Sequence, residues 1–507
     1  MAQLEKPLET RDIQGILLSG YLHLPFSNYL FLHVNDAAAA RSWLERIIRL
    51  VTPAYYPLDS NGKPEKPKWA LNIAFTAPGI EALGYSVDNF SQEFQEGIAD
   101  KNKSTKKNKD NQEEDGNRSK RLGDTGPNSP QNWEVGGYQT PPDQVIHICL
   151  MVQTPTENEL NTQCQEQRDL LAAHNLHVVH EEPGYLPLDD GVEHFGFADA
   201  ISEPDLVGSP KRIRDTQSCV QPGEFILGYK NGYDRLPTTP TVPSEQDRHD
   251  NLQVEDHAPD PDHPNEVPPK DLGRNGTYMV FRKLHQDVAQ WRRYFIESFS
   301  DEDRERMEAK FIGRWPSGAP LVQYPDVDPF KGDTTGQGRV NDFCYAAGDA
   351  GGLRCPLGAH IRRVNPRDSL EDDPAESIKS VNRHRLLRRG ALYGKKLPPG
   401  VTEDDGTPRG VLFLGVNSDL KRQFEFIQQT WIQRPKFNGL YDEIDPVLGN
   451  HGDGSGLNNL TIQNDPVQQR LTGLPQFVTV KGGAYLFLPS IAALCFFADI
   501  KNSQPQE

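Results

Sequence analysis

The sequence predicts an α+β fold of two halves, each running β-α-β-β-α-β. Two observations carry that reading. Strand-like and helix-like apolar patterns recur in the same order twice, and two polar stretches stand outside the pattern. In the first half, Tyr29–Val34 reads as a strand. Asp36 then offers a helix cap, and Ala40, Trp43, Leu44, Ile47, Ile48 and Val51 recur at helical spacing until Pro53. Leu71, Ile73 and Phe75 alternate as a strand does. A strand from Val145 to Val152, a helix over 156–174 and a strand at Leu176–His180 complete the order.

The second half repeats it. A strand at Thr277–Arg282 leads into a helix with Leu284, Val288, Trp291 and Phe295 on one face. Short strands follow near Leu386–Arg389 and at Val411–Val416. A helix then carries Leu420, Phe424, Ile427 and Trp431 at i, i+4, i+7 and i+11, and strands at Phe477–Val480 and Ala484–Leu488 close the unit. Each half has the ferredoxin-like order with an antiparallel sheet. The division is 1–222, a Pro- and Asp-rich connection at 223–272, and 273–507. Residues 100–131, rich in Lys, Asn, Asp, Gly and Ser, and residues 237–272 are expected to be mobile surface segments.

Composition narrows the function. Hydrophobic residues make up 36% of 507, low enough that part of the chain must lie in solvated loops. A formal charge of -18 and a pI near 5.3 repel phosphate backbones and anionic lipid, which argues against nucleic acid and membrane as partners. The same charge favours solubility and the recruitment of cationic substrates. Six cysteines without pairing or metal spacing read as reduced thiols. The opening Met-Ala-Gln-Leu-Glu-Lys lacks the pattern of a secretion signal, and the apolar stretch Ile13–Val34 is interrupted by Gly15, Gly20, Pro25, Ser27 and Asn28. A cytoplasmic protein, monomer or homodimer, is expected.

Three segments carry chemistry. The first, Arg354–Arg367, contains Cys-Pro-Leu-Gly-Ala-His-Ile-Arg with His360, whose imidazole suits the axial position of a haem iron; most histidines, though, are surface or satisfied core groups. The second, Gly191–Pro204, sets Asp199 among small and aromatic residues. A carboxylate in such a pocket is a candidate acid/base, and an Asp capping a turn is the alternative. The third, His384–Gly394, ends an apolar strand with Arg388 and Arg389, a catalytic pair or a salt-bridged one.

Together these segments resemble the dye-decolorising peroxidase family. The resemblance covers most of the chain, from Asp-Ile-Gln-Gly at 12–15 through Gly276–Arg282, Gly-Arg-Trp-Pro-Ser-Gly-Ala-Pro at 313–320 and Arg422–Trp431. It implies two ferredoxin-like halves with one haem b per chain between them or within the C-terminal half, in agreement with the strand order above. It also implies His360 as iron ligand, Asp199 as distal acid/base and Arg388 as distal arginine, with Arg389 the fallback. Arg362 of the same Ala-His-Ile-Arg segment counts among the cofactor-binding residues. Leu412 and Leu414 are expected to form an apolar ceiling over the distal side. A carboxylate accepting the other ring N–H of His360 is expected in Leu440–Pro446, with Asp442 favoured. Tyr393 and Trp431 fall where the resemblance places surface radical sites; a strand-end aromatic and a helix-packing residue are the plainer readings.

One position departs from the family. Its Gly-x-x-Asp-Gly has Ala200 where the last glycine belongs, and a positive φ there would cost about 1 kcal/mol. We expect the change to be tolerated. The implied activity is reduction of hydrogen peroxide coupled to one-electron oxidation of dyes and phenolic compounds, with an acidic optimum. Rival readings are a haem-thiolate protein using Cys355, a non-catalytic haem-handling protein, and a purely structural module.

Overall fold

Strands of the two halves join edge to edge into one closed ring, which positions everything else. The computed structural model describes residues 7–100, 117–187, 190–209, 217–255, 267–333 and 335–502. The first half contributes β1 (Phe26–His33), α1 (Ala37–Ile47), β2 (Ala70–Phe75), β3 (Ile148–Thr154), α2 (Glu157–Ala173) and β4 (His177–Tyr185). Asp36 caps α1 as expected, accepting from the Ala39 N–H, and Thr156 caps α2, accepting from that of Glu159. All pairings are antiparallel, in the order β4-β1-β3-β2.

The second half supplies β5 (Thr277–Gln286), α3 (Val288–Ser298), β6 (Leu387–Arg388), β7 (Ala391–Tyr393), β8 (Gly410–Asn417) and β9 (Val478–Leu488). Its order, β9-β5-β8-β7, mirrors the first, and β6 adds to β8. Two seams close the ring, Tyr185 of β4 against Leu392 of β7 and Phe75 of β2 against Phe487 of β9. Closure pairs edges that two separate sheets would leave open.

Along β2, β3 and β8 both faces of the ring are largely buried, so these strands read as nearly continuous apolar runs. Tyr29, Phe31, Met151, Phe281, Leu412, Leu414 and Leu486 fill the interior. Leu30, Leu32, Leu71 and Ile73 face out, into a core shared with Trp43, Leu44 and Ile47 of α1. One mouth is covered by the turn Gly15–Leu17 and the residues after it, held by Gln14, whose amide donates to the carbonyls of Ile73 and Pro489.

Four local expectations change. Leu284 belongs to β5, because Asp287 caps α3 through the Gln290 N–H. The two expected closing strands are one, bulged between Val480 and Gly482; a Cβ on Gly482 would meet Val135 at 2.9 Å. The helix over Lys421–Ile432 is wide, with i→i+5 bonds such as Glu425 N–H to Leu420 C=O and Gln433 N–H to Gln428 C=O. Its apolar face therefore splits: Phe424 and Ile427 line the cavity described below, while Trp431 packs into a separate core with Val381 and Phe437. Finally, residues 117–131 are not a loose insertion. They form a helix at Asn117–Leu122 and short turns, with buried Arg118 paired to Glu96 and Glu425 at 2.7 Å each. Within 237–272, Thr241–Val242 pairs with Lys270–Asp271. Residues 101–116 and 256–266 lie outside the described residues.

Candidate active site

His360 opens the short helix α4 (His360–Val364), directly after the loop that carries Cys355. Arg363, fully buried, donates to the carbonyls of Trp431 and Glu443 and so ties this helix to the segment holding Asp445. His360 Nδ1 lies 2.9 Å from Asp445 Oδ2. Asp445 is buried, and its other oxygen accepts the N–H groups of Val447 and Leu448. Desolvation pushes its carboxyl up, but the His360 charge and these hydrogen bonds outweigh it and leave it below the ordinary aspartate range. An ionised carboxylate can only accept, so Nδ1 carries the proton. The lone pair then sits on Nε2, which has no hydrogen-bond partner among the described residues.

That ring lines a cavity of about 290 Å³ on the outer face of β5 and β8, and Asp199 and Arg388 line it too. Asp199 follows a tight turn in which Glu193 accepts the N–H groups of Phe195 and Phe197 and the Ala198 N–H donates to the Pro316 carbonyl. Ala200 adopts φ 59°, the left-handed conformation, and its N–H donates to Asp199 Oδ1 at 2.6 Å. Arg388 Nη1 donates to the same oxygen at 3.1 Å. Glu203 clamps the rest of Arg388, accepting from its Nε at 2.7 Å and its backbone N–H at 2.9 Å. Burial raises the Asp199 carboxyl, yet Arg388, the Ala200 N–H and the charge of His360 more than compensate and hold it below the usual value. Burial works against the Arg388 charge as well, and Glu203 and Asp199 overcome it.

The structure thus brings His360, Asp199 and Arg388 to one cavity and sends the other candidates elsewhere. Arg389 donates to the Ile16 and Leu17 carbonyls. The carboxylate beside His360 is Asp445, not Asp442; the latter is exposed and bonded to Arg470 at 2.5 Å. Leu412 and Leu414 point into the ring, because strand residues alternate and the cavity takes the opposite face, Val411 and Phe413. Arg362 faces away and holds the preceding loop, bonding Asp349 at 3.1 Å and the Cys355 carbonyl at 2.8 Å. Neither Tyr393 (6% exposed) nor Trp431 (3%) is at the surface. Cys355 is buried off the cavity, with its thiol pushed up to about 12 by burial, which disfavours a thiolate.

Sequence reasoning missed Glu203, which clamps Arg388, and the arginines Arg314, Arg367 and Arg385, which line the cavity. Arg314 lies in the Gly-Arg-Trp-Pro segment, and Glu203 in Ile-Ser-Glu-Pro. A free imidazole nitrogen, aromatic and aliphatic walls and an arginine-rich rim suit a planar metallocofactor that carries carboxylates. Among the described residues no cluster of three His, Cys, Asp or Glu side chains is arranged to hold a metal ion.

Residues 12–185 match the family model described as the DyP dimeric alpha+beta barrel domain. The chain is 31% identical to the multifunctional dye peroxidase DyP2 of Amycolatopsis sp., over 92% of this sequence and 91% of that one. It is 27% identical to a dye-decolorizing peroxidase of Mycena epipterygia, over 98% and 88%. Among solved structures, an ancestral D-type dye decolorizing peroxidase superposes with a TM-score of 0.72 at 27% identity, covering 96% of this chain and 99% of that one. A dye-decolorizing peroxidase in complex with 2,6-dimethoxyphenol shares the fold at a TM-score of 0.75 and 24% identity, over 97% and 100%. With this likeness running through nearly the whole length of both sequences, the chain belongs to the dye-decolorising peroxidases, a family of haem-dependent enzymes.

Proposed function

We propose that the chain binds one haem b through His360 Nε2, reduces hydrogen peroxide beside Asp199 and Arg388, and oxidises dyes and phenolic compounds in one-electron steps. The convergence of these three side chains on one cavity, with Nε2 left unpartnered, carries the reading. Haem, when bound, supplies the redox chemistry that splits the peroxide bond and returns electrons from the reducing substrate.

The protein's own groups do the rest. Asp445 keeps Nδ1 protonated, fixes the ring and makes the imidazole a stronger donor. Asp199, ionised, takes a proton from one peroxide oxygen and delivers it to the other, so that the departing oxygen leaves as water. Arg388, held by Glu203 with Nη1 on Asp199, stabilises negative charge on the departing oxygen. The aromatic and aliphatic walls, Phe195, Phe197 and Phe413 among them, limit competing water. The cytoplasmic setting expected from the sequence is part of the proposal, supported by six free cysteines.

The test is peroxide-dependent dye oxidation by wild type and Asp199→Asn at matched haem content. Loss of the proton carrier should lower kcat/KM for peroxide by roughly 10²–10⁴-fold. An unchanged value would overturn the assignment.

A further inference from the structure

Arg388 is a wall of two cavities. The second, of about 340 Å³, lies at the ring mouth covered by the segment after Gly15 and is lined by Leu17, Leu18, Leu24, Leu186, Leu206 and Leu387. Its floor is different. Ser27 of β1 and Gln153 of β3 are register partners, so their side chains stand side by side on the interior face. Ser27 is 4% exposed and Gln153 9%, and neither Ser27 Oγ nor Gln153 Oε1 has a hydrogen-bond partner among the described residues. The Tyr29 hydroxyl lies near Ser27 without forming a well-aligned bond.

A leucine-walled chamber with two unpaired polar atoms at one point has the makings of a ligand site, since buried polar groups are costly to leave unsatisfied. The charges nearby restrict what fits. Arg388 is paired with Glu203 and Asp199, and Arg389 donates to the backbone carbonyls of Ile16, Leu17 and Arg388. The carboxylates of Glu203 and Asp205 line the chamber beside these two arginines, so its charges balance and neither an anion nor an ammonium is favoured. A neutral hydroxyl, by contrast, donates to Gln153 Oε1 and accepts from the Ser27 hydroxyl, with an apolar ring among the leucines.

We propose that this chamber is a second ligand site, for a small neutral phenol, distinct from the cavity lined by His360. An occupant lies against the Arg388–Glu203 pair, yet its binding needs neither peroxide nor turnover.

The experiment uses holoprotein without peroxide and two isosteric probes, 4-bromophenol and 4-bromotoluene, titrated by calorimetry. 4-Bromophenol should bind about tenfold more tightly. In Gln153→Leu that preference should vanish, and Leu18→Trp should abolish binding of 4-bromophenol by filling the chamber. In a crystal soaked with 4-bromophenol, the anomalous bromine peak should fall among Leu17, Leu24 and Leu206. Equal affinities in wild type, a preference that survives Gln153→Leu, or bromine in the His360 cavity would each overturn the proposal. Should Gln153→Leu fail to fold, the wild-type ligand pair and the bromine position decide it.

Discussion

At the scale of single residues, the site is governed by which group holds charge. Asp199 sits below its ordinary value, so its basic form persists as pH falls and is lost only on passing through that lowered value. With haem loaded, kcat/KM for peroxide should stay flat from neutrality to about pH 4 and fall below it. An acid limb centred above about pH 5 would point to another base. Asp445→Asn keeps an acceptor near Nδ1 but removes the charge, and should weaken haem affinity by about 10–100-fold while raising the iron reduction potential. Haem titration and spectroelectrochemistry measure both. Ala200 offers a stability test. A left-handed alanine costs roughly 1–2 kcal/mol, and glycine loses about 0.4–1 kcal/mol through unfolded-chain entropy. Ala200→Gly should therefore gain on the order of 0.5–1 kcal/mol in denaturant melts. The strained φ was inferable from the sequence, because a family glycine had been replaced.

At the scale of elements, alternation decides roles. β8 was legible as a strand, but its two faces are both apolar, so nothing in Val-Leu-Phe-Leu-Gly-Val tells which set meets the cavity. Register with β5 settles it: Phe413 pairs with Arg282 and Leu414 with Phe281, which sends Leu414 into the ring. Leu414→Ala should cost about 2–5 kcal/mol of stability, whereas Phe413→Ala should act chiefly on dye kinetics by widening the cavity. Equal effects of the two on stability, with none on kinetics, would contradict this register. The wide helix at Lys421–Ile432 misled in a similar way. Apolar residues at i, i+4, i+7 and i+11 fit an ordinary helix, and i→i+5 bonding leaves no signature in that spacing. Asp442, Glu443 and Asp445 are close in sequence, and only the buried turn through Val447 and Leu448 selects the third.

At the scale of the whole molecule, the repeated strand order was readable because each half closes its own four-strand ladder from local patterns. The seams were not, because Tyr185 against Leu392 and Phe75 against Phe487 join residues with no sequence relation. Nor were residues 117–131 recognised as packed, since polar composition hides the buried Arg118–Glu425 pair. The charge of -18 acts over the entire surface. Cationic dyes should show lower KM than anionic dyes at low ionic strength, and the difference should shrink as salt shortens the Debye length to about 3 Å at 1 M. None of the helices among the described residues is long and apolar enough to cross a membrane.

The account rests on His360 as the one protein group that holds the iron, which the optical spectrum of purified protein tests most directly. Wild type should show a ferric haem spectrum of histidine ligation, and His360→Ala should lose haem, with imidazole added to the buffer restoring it. A His360→Ala protein that keeps the wild-type spectrum and haem affinity would contradict it.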